Sequence, residues 1–391
     1  MTERPTTITP FVILCLIGFL AFFSSYLRMP VLPLYAAQLG GDPAQIGFIN
    51  GAFMLTTGLL SIPAGLLADR IGRKLPILGG LLAVGLSSLL ITRCQHPGQM
   101  AAVYVLFGAG LAAFAPGMLS QVADTVPPDR LGKAYGWYTT AIYTAMTIGP
   151  ATGGFLAKSV GLQQVFMISG GLTLLVSVAA LLVLPRGKGT HRTELHSIIG
   201  AGFLLLNNRW LVACLVATIG SCIGFGVFLT FLPLYSISKG LDPAQVGLVF
   251  AAQALTNVVC RVPIGIFSDR IDRRWIVAGG LLFLAFALLL FGQTSHLFPM
   301  VTCAIILGVG MALTYTAIGA LIAQHVPAVQ RGLAMGMYNS CIYLGMMSGS
   351  ASMGIALKHI GYKIGFAMAG GVALVALCWF ILMLRPCPEK S

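Results

Sequence analysis

Gly65-Leu66-Leu67-Ala68-Asp69-Arg70-Ile71-Gly72-Arg73-Lys74 is a knot of charge and glycine between two long apolar runs. A near copy, Gly265-Ile266-Phe267-Ser268-Asp269-Arg270-Ile271-Asp272-Arg273-Arg274, follows 200 positions later. Charge is scarce elsewhere: of 391 residues, 57% are hydrophobic and 8% charged, and the mean hydropathy is +0.92. A soluble chain needs a charged shell, and these residues cannot build one. A bilayer core takes about 20 apolar residues per helix, and uncharged windows near that length recur, as in 11–27, 75–92, 134–157 and 332–357. The reading is an all-α integral membrane protein whose two basic turns mark two similar halves.

Hydropathy predicts twelve transmembrane helices, near residues 10–35, 44–67, 75–93, 97–123, 131–157, 163–185, 209–235, 244–267, 275–293, 297–323, 331–357 and 363–385. The halves repeat beyond the basic turns. Asp42-Pro43-Ala44-Gln45 matches Asp242-Pro243-Ala244-Gln245, Pro33-Leu34-Tyr35 matches Pro233-Leu234-Tyr235, and Ile142-Tyr143 matches Ile342-Tyr343, always at the same offset. A constant offset predicts two pseudo-symmetric six-helix halves, 1–185 and 209–391, joined by a linker over 186–208. The linker's apolar second part is expected to lie along the interface as a short helix. Parallel halves of this kind place a substrate site between them near the membrane midplane. An even span count puts both termini on one side. Sixteen lysines and arginines fall on that side and five on the other, so the positive-inside rule predicts cytoplasmic termini and cytoplasmic basic turns.

That distribution also accounts for the net charge of +13 without invoking nucleic acid. The nine cysteines lie mostly within apolar runs, with no spacing for zinc or for a disulfide framework. No metal site, cofactor, nucleotide loop or nucleophile constellation is legible, which argues against an enzyme. None of the ten acidic residues falls near the middle of a span, whereas two cations do: Arg28 in the first and Arg261 in the eighth. Gln253, Asn257 and Arg261 share one helix face, as do Ser24 and Arg28. With Tyr26, Tyr315 and Asn339 these are the candidate lining of a substrate cavity, which would favour anionic or zwitterionic molecules. The alternative is that each arginine reaches to the nearer membrane surface or, for Arg261, pairs with Asp269.

The pattern Gly65-x-x-x-Asp69-Arg70-x-Gly72-Arg73-Lys74, between the second and third spans, resembles the cytoplasmic loop signature of the major facilitator superfamily, and the resemblance extends over essentially the whole chain. The second copy departs from it at Asp272. The resemblance implies a cytoplasmic gate of Gly65, Asp69, Arg70, Gly72, Arg73 and Asp124, repeated in Gly265, Asp269, Arg270 and Arg273. In it the glycines allow close backbone approach and Asp124 pairs with the arginines. The other reading of these charges is loop anchoring and topology alone. Gly149-Pro150-Ala151-Thr152-Gly153-Gly154 resembles the family's antiporter signature, though small-residue helix packing accounts for it equally well. Antiporters of this type carry an arginine four residues before the register of Gly108; Tyr104 stands there, so that arginine's coupling role does not carry over.

The expected function is export of a small organic molecule by alternating access, with proton antiport implied by the resemblance to twelve-helix drug:proton antiporters. A rival is a transporter of an organic anion, such as a carboxylate metabolite or metal chelator, organised around Arg28 and Arg261. A receptor that binds without transport stands third. The expected partners are the substrate, protons and the lipid bilayer, and the expected setting is a monomer in the cell inner membrane.

Overall fold

The computed structural model describes residues 8–127, 130–185, 204–268, 271–327 and 330–384. Asp269, Arg270 and residues 186–203 of the expected linker lie outside the described residues, as does the Asp69 side chain. Among the described residues the regular structure is helical: α1 Ile8–Leu27, α2 Val31–Gln38, α3 Pro43–Ile71, α4 Lys74–Ile91, α5 Pro97–Thr125, α6 Leu131–Val160 and α7 Leu162–Val183 form an N-terminal group. The C-terminal group is α8 Arg209–Ser238, α9 Pro243–Ser268, α10 Arg273–Phe291, α11 Leu297–His325 and α12 Arg331–Met383.

Local chemistry fixes the ends. At the start of α3, Asp42 Oδ1 accepts from the Gln45 backbone N–H at 2.9 Å and Gln45 Oε1 accepts from the Asp42 N–H at 3.1 Å, with Pro43 at the first helical position. This capping box satisfies two orphan donors at once. Asp242 and Gln245 repeat it at α9, both bonds 2.9 Å. Gly72 ends α3 at φ +87°, a conformation that disfavours residues with a Cβ. At the matching position Asp272 takes φ −57° and accepts from the Arg274 N–H, so the second turn is closed by a side-chain cap.

The expected first span is interrupted. Pro30 lacks an N–H and α1 stops at Leu27; Arg28–Pro30 form a turn before α2. The last two expected spans run together as α12, broken at Gly361, where φ is +68° and ψ 171°. Several helices also run past their expected ends; α3 and α5 each continue to 29 residues.

Within the N-terminal group α1 packs on α6, α3 on α5, and α4 on α5 and α7. Within the C-terminal group α8 packs on α12, α9 on α11, and α10 on α11 and α12. Two seams join the groups: α3 against α12, and α6 against α9.

Candidate functional site

Both seams are tight at the face that carries the capping boxes and slack at the face that carries the basic turns. Along α3 and α12, a Cβ on Gly47 would overlap the Ser350 carbonyl, and one on Gly354 would lie 2.6 Å from the Pro43 carbonyl oxygen. Further along, Gly58 faces Tyr343 Cβ at 3.0 Å and Gly336 reaches Ile62 only at 4.0 Å. Gly65, nearest the basic turn, meets nothing within 4 Å. The α6–α9 seam repeats the trend: Gly154 would overlap the Pro243 carbonyl, Gly247 lies 2.7 Å from the Pro150 carbonyl oxygen, and Gly265 meets nothing. Gly65 and Gly265, expected to serve close backbone approach, have no neighbour in this conformation, which is open at the basic turns. Absence of a side chain is used at the opposite end of both helices, where backbones touch.

The tight face is also cross-linked by charge. Lys358 Nζ of α12 lies 2.7 Å from Asp42 Oδ2, and Lys158 Nζ of α6 lies 2.8 Å from Asp242 Oδ2. Each aspartate thus caps its own helix and holds a lysine of the other group. These hydrogen bonds, the lysine's first and the backbone N–H of Gln45 or Gln245 second, hold both carboxyls below the usual carboxylate range. By sequence Lys158 and Lys358 are two of the five basic residues on the side opposite the termini. The signal was present, since they too are 200 positions apart.

Between the seams lies a cavity of about 520 Å³. Tyr26, Gln253, Asn257, Arg261, Tyr315 and Asn339, all expected there, line it, and its other walls include Phe53, Phe107, Tyr143 and Tyr343. Among the described residues lining it, Arg261 is the sole charged one. Its Nη1 donates to Tyr143 Oη at 2.7 Å across the α6–α9 seam, its Nε donates to Asn257 Oδ1 at 3.0 Å, and its Cζ sits 4.1 Å from the Tyr143 ring centroid. Gln253 Nε2 reaches Met311 Sδ at 3.1 Å and Tyr315 Oη meets Cys222 Sγ at 3.1 Å. The wall is mostly aromatic and apolar, with a few neutral polar groups and one cation, a lining suited to a small amphipathic organic molecule.

Arg28 and Ser24 are not among the lining residues, which corrects the expectation for both. The face of α1 they share turns away from the cavity toward α4, α5 and α7, while Ser25 and Tyr26 face inward. Arg28 is 1% exposed, donates from Nη1 to Ser88 Oγ at 2.8 Å, and stacks against Phe107 with Cζ 3.5 Å from the ring centroid. Ser24 Oγ meets Thr173 Oγ1 at 2.7 Å.

In the antiporter-like stretch, Gly149 would place a Cβ 2.8 Å from Tyr26 Cβ and Gly153 would overlap the Leu27 carbonyl. Gly149 and Gly153 therefore seat the end of α1, while Pro150 and Gly154 seat α9. In the first basic turn, Arg73 pairs with Asp124 and bonds the Ser120 carbonyl, and Lys74 Nζ donates to the Leu181 and Leu184 carbonyls at the end of α7. In the second, Arg273 bonds Gln324 Oε1 at 3.0 Å and Arg274 bonds the Leu384 carbonyl at 3.1 Å. These bonds tie helices within one group. Arg70 lies in the last turn of α3.

The described helices thus form two groups around a central cavity, closed at the capping-box face and slack at the other. The chain belongs to the Major Facilitator Superfamily, whose sequence pattern matches residues 14–242 and 214–391. Its relatives include an uncharacterized MFS-type transporter of Methanocaldococcus jannaschii, 26% identical over 359 residues and covering 90% of both chains. The multidrug resistance protein 2 of Bacillus subtilis is 26% identical over 94% of both chains. The quinolone resistance protein NorA of Staphylococcus aureus is 22% identical over 92% of both. Among solved structures, the nucleoside transporter NupG superposes with TM-score 0.82 at 14% identity, over 97% of this chain and 100% of that one. A bacterial homologue of the lysosomal transporter Spinster, in an inward-facing conformation, gives 0.81 at 16% identity over 98% of both. The family and these relatives make the chain a transporter and not an enzyme.

Proposed function

We propose that this chain is a secondary transporter that exports a small organic molecule by alternating access, its twelve spans arranged as two six-helix halves. Ten helical stretches among the described residues are long and apolar enough to cross a membrane. Dividing α12 at Gly361 and adding the more polar α6 brings the number to twelve, with α1 and α2 forming one crossing. The positive-inside rule puts the basic turns in the cytoplasm of a bacterial-type inner membrane, so the splayed face opens inward and the latched face lies outside.

The observation that carries this reading is the reciprocity of the outer closure: two glycine seams and two lysine–aspartate pairs, each repeated at an offset of 200 residues. A pair of rigid halves that rock about the cavity would break this closure on one stroke and remake it on the other. On that stroke the basic turns, with Asp69, Arg70, Arg73 and Asp124 and their copies Asp269, Arg270 and Arg273, would meet and shut the cytoplasmic side. Efflux of organic compounds is supported by the names of the quinolone and multidrug resistance relatives, and proton antiport is the coupling that the resemblance implies.

A second reading, transport of an organic anion, is favoured by a cavity lined, among the described residues, by Arg261 and by no carboxylate. Flux in proteoliposomes, with and without an imposed pH gradient, over cationic, neutral and anionic compounds tests both. Gradient-driven flux of any of them supports the exporter; selectivity for anions supports the second reading. Binding without flux in either condition would make the chain a receptor.

A further inference from the structure

We infer that the Nε–Nη2 edge of Arg28 is a docking point for a carboxylate, held inside the N-terminal helices one aromatic ring away from the central cavity. The guanidinium is 1% exposed, yet only one of its three nitrogens is satisfied by the protein. Nη1 donates to Ser88 Oγ at 2.8 Å, with Ser87 Oγ at 3.4 Å, whereas no group accepts from Nε or Nη2. A buried donor without an acceptor is rare in native proteins, and a buried cation without a counter-charge inside a membrane is rarer.

Among the described residues no acidic side chain is placed to supply that charge. Asp124 is the one acid on α4, α5 or α7. It lies 17 residues along α5 from Phe107, about 25 Å at the helical rise, and pairs with Arg73. The surroundings are instead neutral hydroxyls. Ser88 and Ser169 lie 3.4 Å apart, Ser169 donates to the Ser24 carbonyl at 2.6 Å, and Ser24 meets Thr173. Each is occupied by another hydroxyl or a carbonyl, which leaves the arginine edge as the unanswered feature of this pocket of polarity.

The shape of that edge selects the ligand. The N–H bonds of Nε and Nη2 run parallel in the guanidinium plane and match the two oxygens of a carboxylate, a fork that a spherical halide cannot fill. The route from the cavity is short. Phe107 lines the cavity and stacks on the guanidinium, with Cζ 3.5 Å from its centroid. Phe53, 4.9 Å away between centroids, and Tyr104, 5.4 Å away, complete the aromatic screen. Rotation of the Phe107 ring would expose the fork to a molecule already in the cavity, whose aromatic body would remain among the wall residues. The ligand being the transported molecule rests on the transport reading above; the presence of the carboxylate site does not.

The test uses full-length protein in nanodiscs and sodium benzoate as probe, with benzamide as the neutral isostere and sodium chloride at equal ionic strength. Benzoate is expected to raise the unfolding temperature saturably while benzamide and chloride do not. Arg28→Lys keeps the charge and loses the fork, and should weaken benzoate binding at least tenfold; Arg93→Gln, at an exposed cation outside the cavity, should leave it within about twofold. Should Arg28→Lys fail to fold, the anomalous signal of 4-bromobenzoate in wild-type crystals decides: bromine beside Phe107 supports the site, and bromine at Arg261 overturns it. No benzoate response, an equal response to chloride, or an unchanged response in Arg28→Lys would also overturn it. Failure of all flux in proteoliposomes with benzoate binding intact would sink the transport reading and leave the site standing.

Discussion

Replacing Asp42 and Asp242 together by asparagine isolates the charge in the closure at the capping-box face. Asparagine still accepts the Gln45 and Gln245 backbone N–H groups, so the helix caps survive and only the ion pairs are lost. The pairs are partly solvated. Side-chain exposures are 45% and 40% for Lys358–Asp42, and 57% and 34% for Lys158–Asp242. At such exposure solvent screening limits each pair to about 0.5 kcal/mol, about 1 kcal/mol for both. That predicts a shift of about fivefold toward the population open at the capping-box face. Electron–electron distance measurements between spin labels on Gln38→Cys and His359→Cys, in a cysteine-depleted background, would report it. The sign of the pH dependence follows from the depressed carboxyl values. The latch is at full strength above the free carboxylate value, about 4, and fades as pH falls through the lower latched value. The conformational ratio should therefore be flat from pH 8 to pH 5, while raised salt weakens the latch. An unchanged ratio in the double variant, or titration of the wild-type ratio near neutrality, would refute the reasoning.

The glycine seam should matter more than the latch. Gly154→Ala places a methyl on the Pro243 carbonyl, and overpacking of about 1–3 kcal/mol should move the same distance distribution further than loss of both ion pairs; an unaltered distribution would show that the seam does not set the closure. Arg261→Gln removes the bond to Tyr143 and the cavity's cation; in liposome flux it should raise KM about tenfold for anionic compounds and leave cationic ones unchanged. Arg73→Gln and Asp124→Asn should each lower stability by about 1 kcal/mol, and the double variant by no more than either, read from thermal unfolding in detergent; additive losses would mean that the two residues act separately.

What could be read from the sequence depended on whether the repeat carried it. The offset linking Gly65–Lys74 to Gly265–Arg274 was enough for an all-helical membrane fold with a cavity between related bundles, and Gln253, Asn257 and Arg261 on one face do line that cavity. The same offset joins Lys158 to Lys358 and Asp42 to Asp242, but reciprocal pairing appears only once α3 lies against α12 and α6 against α9. Arg28 was misplaced for a different reason. A helix in lipid has no wet face to orient it, and its rotation is set by packing. Gly149 and Gly153 seat the end of α1, and that contact turns Ser24 and Arg28 inward among their own helices while presenting Tyr26 to the cavity. The glycines of the basic turns can be read two ways, because glycine permits both close approach and left-handed backbone. Gly72 uses the second at φ +87°, and Gly65 touches nothing.

The composition of α6 bears on how the chain enters the membrane at all. Thr139, Thr140, Thr144, Thr147 and Thr152 each return a hydroxyl to a carbonyl one turn back, yet α6 is still absent from the stretches apolar enough to cross alone. During synthesis it would leave the translocon poorly, and it finds most of its cover against α1, made earlier, and α9, made about a hundred residues later. At roughly 5–20 residues per second, that leaves this helix incompletely sheltered for several seconds, the interval in which insertases and quality-control proteases would find it.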